Sequence, residues 1–136
     1  LGAGRIVYQD FVKINKAVAD GSLAKEKSLV DAFTYAKENN KKVHLLGLLS
    51  DGGVHSHIKH TKGLLKAAKD FGLTDVYLHA FTDGRDVDPK SGKGYIADIV
   101  KYMDDNGGKL ATICGRYYAM DRDERWERVK LSYDVM

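Results

Sequence analysis

The chain has 136 residues, 43% of them hydrophobic and 30% charged, which excludes a disordered segment and suits one folded domain with a real core. Its net charge of +3, from 22 basic and 19 acidic residues, suits a local anionic site and is too mild for a nucleic-acid face. Cys114 is the only cysteine, so an internal disulfide and a paired-cysteine metal site are excluded, and no apolar run approaches the roughly 18 residues of a membrane span.

The first element is a helix: Val7, Phe11, Ile14 and Val18 step by four, three and four along one apolar stripe, and Asp20-Gly21 closes it. A second helix is expected from Ser28, with Asp31 three residues on as a capping box, Leu29, Phe33 and Ala36 on one side, and Asn39-Asn40 at its end. Val43 to Leu49 is a nearly continuous apolar run, the pattern of a strand buried on both faces. Asp75 to Phe81 and Lys109 to Cys114 read as two more strands, so strand starts recur every 33 residues. Helical stripes fill the intervals, with Ile58, Leu65 and Ala68 in one and Tyr95, Ile99 and Tyr102 in the next. A last stripe, Trp126, Val129, Tyr133 and Met136, places Trp126 in the core. The fold class that follows is α/β, a three-layer α/β/α arrangement of parallel strands built from successive βα units with right-handed crossovers. A solenoid of 33-residue repeats has the same spacing, but the helices share no residue pattern from unit to unit. The sequence opens at Leu1 and breaks off at Met136 inside a helical pattern, so a piece of a longer protein is expected.

Ligands of open α/β sheets bind outside the carboxyl ends of the strands. Each strand here empties into a loop rich in chemistry: residues 50–57, 82–88 and 115–123. Arg85, Arg116 and Arg122 are permanent cations whose forks match carboxylate and phosphate oxygens. A phosphate monoester carries about −1.5 to −2 at neutral pH, and three arginines gathered at successive strand ends suit it better than they suit one another. His55 can donate to an anionic oxygen or exchange a proton. Asp86 is the carboxylate placed to exchange a proton with a substrate hydroxyl, kept ionised by its neighbour Arg85. His55, His57 and His60 also invite a metal-hydrolase reading, although no cysteine or well-placed carboxylate completes a shell. His57 alternatively opens the following helix, and His44 and His79, inside strands, read as core. Asp51 and Asp83 precede glycines and read as turn-shaping. Ser50 and Ser56 show no nucleophile logic, and Cys114 reads as a small buried hydrophobe.

Leu1-Gly2-Ala3-Gly4-Arg5, Leu49 to His57, Asp83-Gly84-Arg85-Asp86 and Gly115 to Asp123, in this order and spacing, resemble cofactor-independent (2,3-bisphosphoglycerate-independent) phosphoglycerate mutase over essentially the whole chain. The resemblance implies interconversion of 3-phosphoglycerate and 2-phosphoglycerate in glycolysis and gluconeogenesis through a phosphoserine, as an isomerase acting by phosphotransfer in the cytoplasm. It implies a companion phosphatase-like domain with the nucleophilic serine and two Mn2+, no bisphosphoglycerate, and a monomeric full-length enzyme without nucleic-acid or membrane partners. Residues 1–8 would be the connector after the nucleophile segment, and residues 9–136 the first part of the inserted substrate-binding (phosphotransferase) domain. His55, Arg85, Asp86, Arg116 and Arg122 fall on the family's substrate-binding positions, with no metal ligand in this chain. The fragment alone would be inactive. A metal-dependent hydrolase built on the histidines, or a non-catalytic module binding a phosphorylated metabolite, is the alternative.

Overall fold

The computed structural model describes residue 4 and residues 8–136, so Val7, nearly all of the expected connector and most of the first motif lie outside the described residues. In chain order come α1 (Asp10–Ala19), a 3-10 turn (Ser22–Lys25), α2 (Lys27–Glu38), β1 (Val43–Leu49), α3 (Ile58–Asp70), β2 (Val76–Thr82), α4 (Gly92–Asn106), β3 (Lys109–Gly115), α5 (Arg116–Ala119) and α6 (Trp126–Asp134). The α/β architecture expected from the sequence is present, with strands in the order β1-β2-β3, parallel throughout. Register aligns Leu49 with Thr82 and Thr82 with Gly115, so the three strands end abreast. Their following loops therefore start side by side. An irregularity between Leu78 and His79 leaves Ala111 without a partner on β2.

Helices α3 and α4 close one face of the sheet. Leu65, Ala68, Ile99 and Met103 pack there with Leu49, Val76, Leu78 and Ala80 in one buried cluster. Burying each of the larger side chains contributes about 1.5–3 kcal/mol. Phe33 of α2 joins the same cluster and tilts against the ring of Phe71.

Burial on β1 alternates up to Gly47, which differs from the expected strand covered on both faces. Leu46 is 56% exposed and His44 is exposed as well, since α3 and α4 pack on the opposite side. His44 is therefore not a core residue. His79 is one, buried in the central strand. The two rings meet at 2.8 Å between Nδ1 of His44 and Nε2 of His79, and Nδ1 of His79 lies 2.9 Å from the Thr112 hydroxyl. Burial, followed by His44, pushes His79 below the ordinary histidine range, so a neutral ring sits in this row.

Two local expectations also change. Helix α2 starts at Lys27 after Glu26, with no side-chain cap; Asp31 pairs with Lys27 one turn earlier and Ser28 makes no capping box. Trp126 is 72% exposed and Tyr133 and Met136 are exposed too; α6 lies against the short α5, and of its apolar stripe only Val129 is partly buried. The periodicity located the helix correctly but could not say which face would be covered.

Candidate active site

Three loops leave the sheet at one edge, and hydrogen bonds draw each of them inward. In the first, the buried Ser50 accepts from the Ile58 N–H through its carbonyl (2.7 Å), which folds residues 50–57 back over the end of β1. The Ser56 hydroxyl donates to the Leu48 carbonyl in the same turn. Gly52 allows this loop to lie against the second one: a Cβ there would sit 3.1 Å from Cβ of Asp86. His57 caps α3, its Nδ1 accepting from the Lys59 N–H at 3.1 Å.

The second loop turns on Asp83 and Gly84. Asp83 Oδ1 accepts from the N–H groups of Arg85 and Asp86, both at 3.0 Å, which is the turn-shaping role expected of it. Gly84 takes φ +97, and a Cβ would lie 3.3 Å from Cα of Pro89, so glycine is required by both conformation and space.

The same carboxylate does more. Asp83 Oδ2 accepts from the Ser50 hydroxyl at 2.7 Å, and Oδ1 also accepts from Nη1 of Arg116 at 2.9 Å. One side chain, 1% exposed, thus ties the ends of all three strands together. Burial pushes its carboxyl up. The Asp86 N–H, the Ser50 hydroxyl, the Arg85 N–H and Arg116 more than offset that, holding it well below the usual carboxylate range.

Arg116 opens the third loop at the end of β3 and is only 12% exposed. Its Nη1 donates to Asp86 Oδ2 at 2.6 Å as well as to Asp83. Burial lowers the guanidinium pKa, while Asp86 and Asp83 raise it further, so the group stays a cation. Asp86 in turn lies 3.9 Å from Nε2 of the partly exposed His55, a charge contact too long for a direct hydrogen bond. Farther along, the Asp121 side chain, 2% exposed, accepts from the N–H groups of Asp123 and Arg125 and from Nη1 of Arg128. The Arg128 guanidinium lies 4.1 Å above the Tyr117 ring.

Between the loops opens a cleft of about 470 Å3, lined by His55, Arg85, Arg116, Arg122, Tyr117 and Arg128 among others. All three arginines singled out in the sequence reach it, and Asp86 stands directly behind Arg116. Their electrostatic situations differ. Arg116 is doubly paired, whereas neither Arg85 nor Arg122 has a carboxylate within ion-pair distance among the described residues. Arg128, Tyr117 and the wider role of Asp83 escaped the sequence reading. The signal for Asp83 was available, since Ser50 and Arg116 each stand 33 residues from it, one strand spacing on either side.

His57 and His60 make no metal centre with His55. The Nδ1 of His57 is used in capping, and Nε2 of His60 lies 2.7 Å from Oδ1 of Asn15. Among the described residues no group of three His, Cys, Asp or Glu side chains is gathered to hold an ion. No helix there is long and apolar enough to cross a membrane.

The depressed Asp83 carboxyl makes stability depend on pH with a definite sign. Its folded pKa lies below its unfolded value, so the ion stabilises the fold above the ordinary carboxylate range and this contribution disappears as pH falls through and below it. Asp83→Asn is expected to lower the urea midpoint clearly at pH 7, with the gap to the parent narrowing below pH of about 4. A gap that stays constant from pH 7 to pH 3 would show that the charge contributes nothing.

Comparison with known proteins gives a consistent picture. The family described as BPG-independent PGAM N-terminus matches residues 14–136. A 2,3-bisphosphoglycerate-independent phosphoglycerate mutase of Flavobacterium johnsoniae is 69% identical over all 136 residues, and the corresponding protein of Clostridium perfringens is 58% identical over 137 aligned positions. In both, the chain spans 27% of the relative's length. A solved structure of Leishmania mexicana phosphoglycerate mutase at low cobalt concentration superposes with a TM-score of 0.85 at 27% identity, covering 99% of this chain and 26% of that one.

Proposed function

The chain belongs to the 2,3-bisphosphoglycerate-independent phosphoglycerate mutase family, and from that premise we propose that it supplies the substrate grip of a cytoplasmic enzyme interconverting 3-phosphoglycerate and 2-phosphoglycerate. The observation that carries this reading is the meeting of Arg85, Arg116 and Arg122 in one cleft at the strand ends. In this proposal residues 1–8 connect to a companion phosphatase-like domain of the same protein, which carries the nucleophilic serine and two Mn2+, and residues 9–136 begin the substrate-binding domain. No bisphosphoglycerate is required, and the whole enzyme is a monomer.

Arg85 and Arg122, without carboxylate partners among the described residues, have their full charge to give to the carboxylate and phosphate of the ligand. Arg116 orients Asp86 through Nη1 and turns the rest of its fork to the cleft. Asp86 is the catalytic carboxylate that exchanges a proton with the substrate hydroxyls, so that the oxygen losing the phosphoryl group is protonated and the oxygen gaining it gives its proton up. His55, beside Asp86, donates to an anionic oxygen. Phosphoryl transfer draws mainly on such positioning and charge stabilisation.

The test is the activity of the whole enzyme containing this chain. It is expected to convert 3-phosphoglycerate to 2-phosphoglycerate with manganese and without bisphosphoglycerate, whereas residues 1–136 alone give no turnover. A whole enzyme that binds phosphoglycerate but never converts it would overturn the reading in favour of a metabolite-binding module.

A further inference from the structure

Resting on the mutase reading above, we propose that Asp83 is a positioning residue for the reaction, acting through Arg116 to set the geometry of Asp86 and the third loop. A turn-shaping aspartate needs only its own loop. Here one oxygen serves that turn, accepting from the Arg85 and Asp86 N–H groups. The arrangement then extends outward. Oδ1 also meets Nη1 of Arg116 at 2.9 Å, and Oδ2 is fixed by the Ser50 hydroxyl at 2.7 Å. Ser50 is itself buried and has its hydroxyl held by the Gly52 N–H, so the carboxylate plane is set from both sides.

Arg116 sits between two carboxylates, Asp83 on one side and Asp86 on the other, sharing Nη1 with both. The buried Asp83 cannot rotate without losing several partners, whereas Asp86 is held by fewer groups and faces His55. The fixed partner therefore dictates where the guanidinium lies, and the guanidinium dictates where the proton-exchanging carboxylate points. A displacement of about 1 Å in such a chain can cost about 100-fold in rate without touching ligand affinity. Arg85 and Arg122, which do not pair with Asp83, keep the anionic groups of the ligand in place. The expected signature is a loss in kcat with little change in KM.

The experiment is a double-mutant cycle in the whole enzyme, measuring kcat and KM for 3-phosphoglycerate. Asp83→Asn, which keeps shape and a backbone acceptor but removes the charge, is expected to lower kcat about 100-fold with KM within about threefold of the parent. In an Arg116→Ala background the same change is expected to cost less than about fivefold, because the group it acts through is gone. Equal losses in both backgrounds would overturn the proposal and leave Asp83 a structural residue of its loop. Full activity of Asp83→Asn would overturn it as well. Where Asp83→Asn fails to fold, the cycle with Ser50→Ala decides: coupling to Arg116 supports the proposal and additivity overturns it. An inactive parent enzyme would instead remove the mutase reading itself, so the two failures are distinguishable.

Discussion

Arg116→Ala in the whole enzyme is expected to lower kcat/KM by about three orders of magnitude and to cost about 3–5 kcal/mol of stability. Both effects have one origin. Arg116 is the shared partner of Asp83 and Asp86, and its removal leaves two carboxylates facing each other in a region that is largely withdrawn from water. Breaking a buried pair from one side is costlier than never having built it, because the remaining charge loses its compensation. Steady-state kinetics reads the first effect, and the urea midpoint the second. Since the Asp83 carboxyl is strongly held in its ionised form, the stability loss should shrink in acid, where protonation relieves the uncompensated charge. Activity within threefold of the parent would remove Arg116 from the site.

A different outcome is expected at Arg85 and Arg122. Neither has a carboxylate partner among the described residues, and both open onto the cleft. Replacing either by alanine should raise KM for 3-phosphoglycerate about 100-fold, the cost of one charge-assisted contact to the ligand. Thermal unfolding should scarcely change, since an exposed cation without a partner stabilises little. The double substitution should abolish saturation at accessible substrate concentrations. If either variant instead unfolded early and kept its KM, the residue would be holding the fold and not the ligand.

Much of this arrangement was legible in the chain because two regularities reinforce each other. The 33-residue interval fixed the parallel strands, and the parallel strands forced residues 50–57, 82–88 and 115–123 to one edge. That is enough to bring Arg85, Arg116 and Arg122 together without knowing any side-chain position. Pairing was harder to see. That Arg116 would be held by two carboxylates while Arg85 has none among the described residues depends on register and on rotamers, which sequence patterns do not encode. Asp83 shows how a correct local reading can be incomplete: its turn bonds are there, and the same oxygens also serve the neighbouring loops. Trp126 shows the opposite limit. A helical stripe announces an apolar face but not its partner, and on α6 Trp126, Tyr133 and Met136 of that face stay exposed among the described residues. The exposed outer residues of β1 follow the same physics, since a run such as Val43 to Leu49 is apolar on both sides while only one side is covered by α3 and α4.

The most direct measurement is a crystal structure of the whole enzyme with 2-phosphoglycerate bound. The three-carbon acid should lie in the cleft between the strand ends, with the forks of Arg85 and Arg122 on its anionic oxygens and Asp86 beside a hydroxyl. Phosphoglycerate held elsewhere, with these guanidinium groups still facing solvent, would contradict the account.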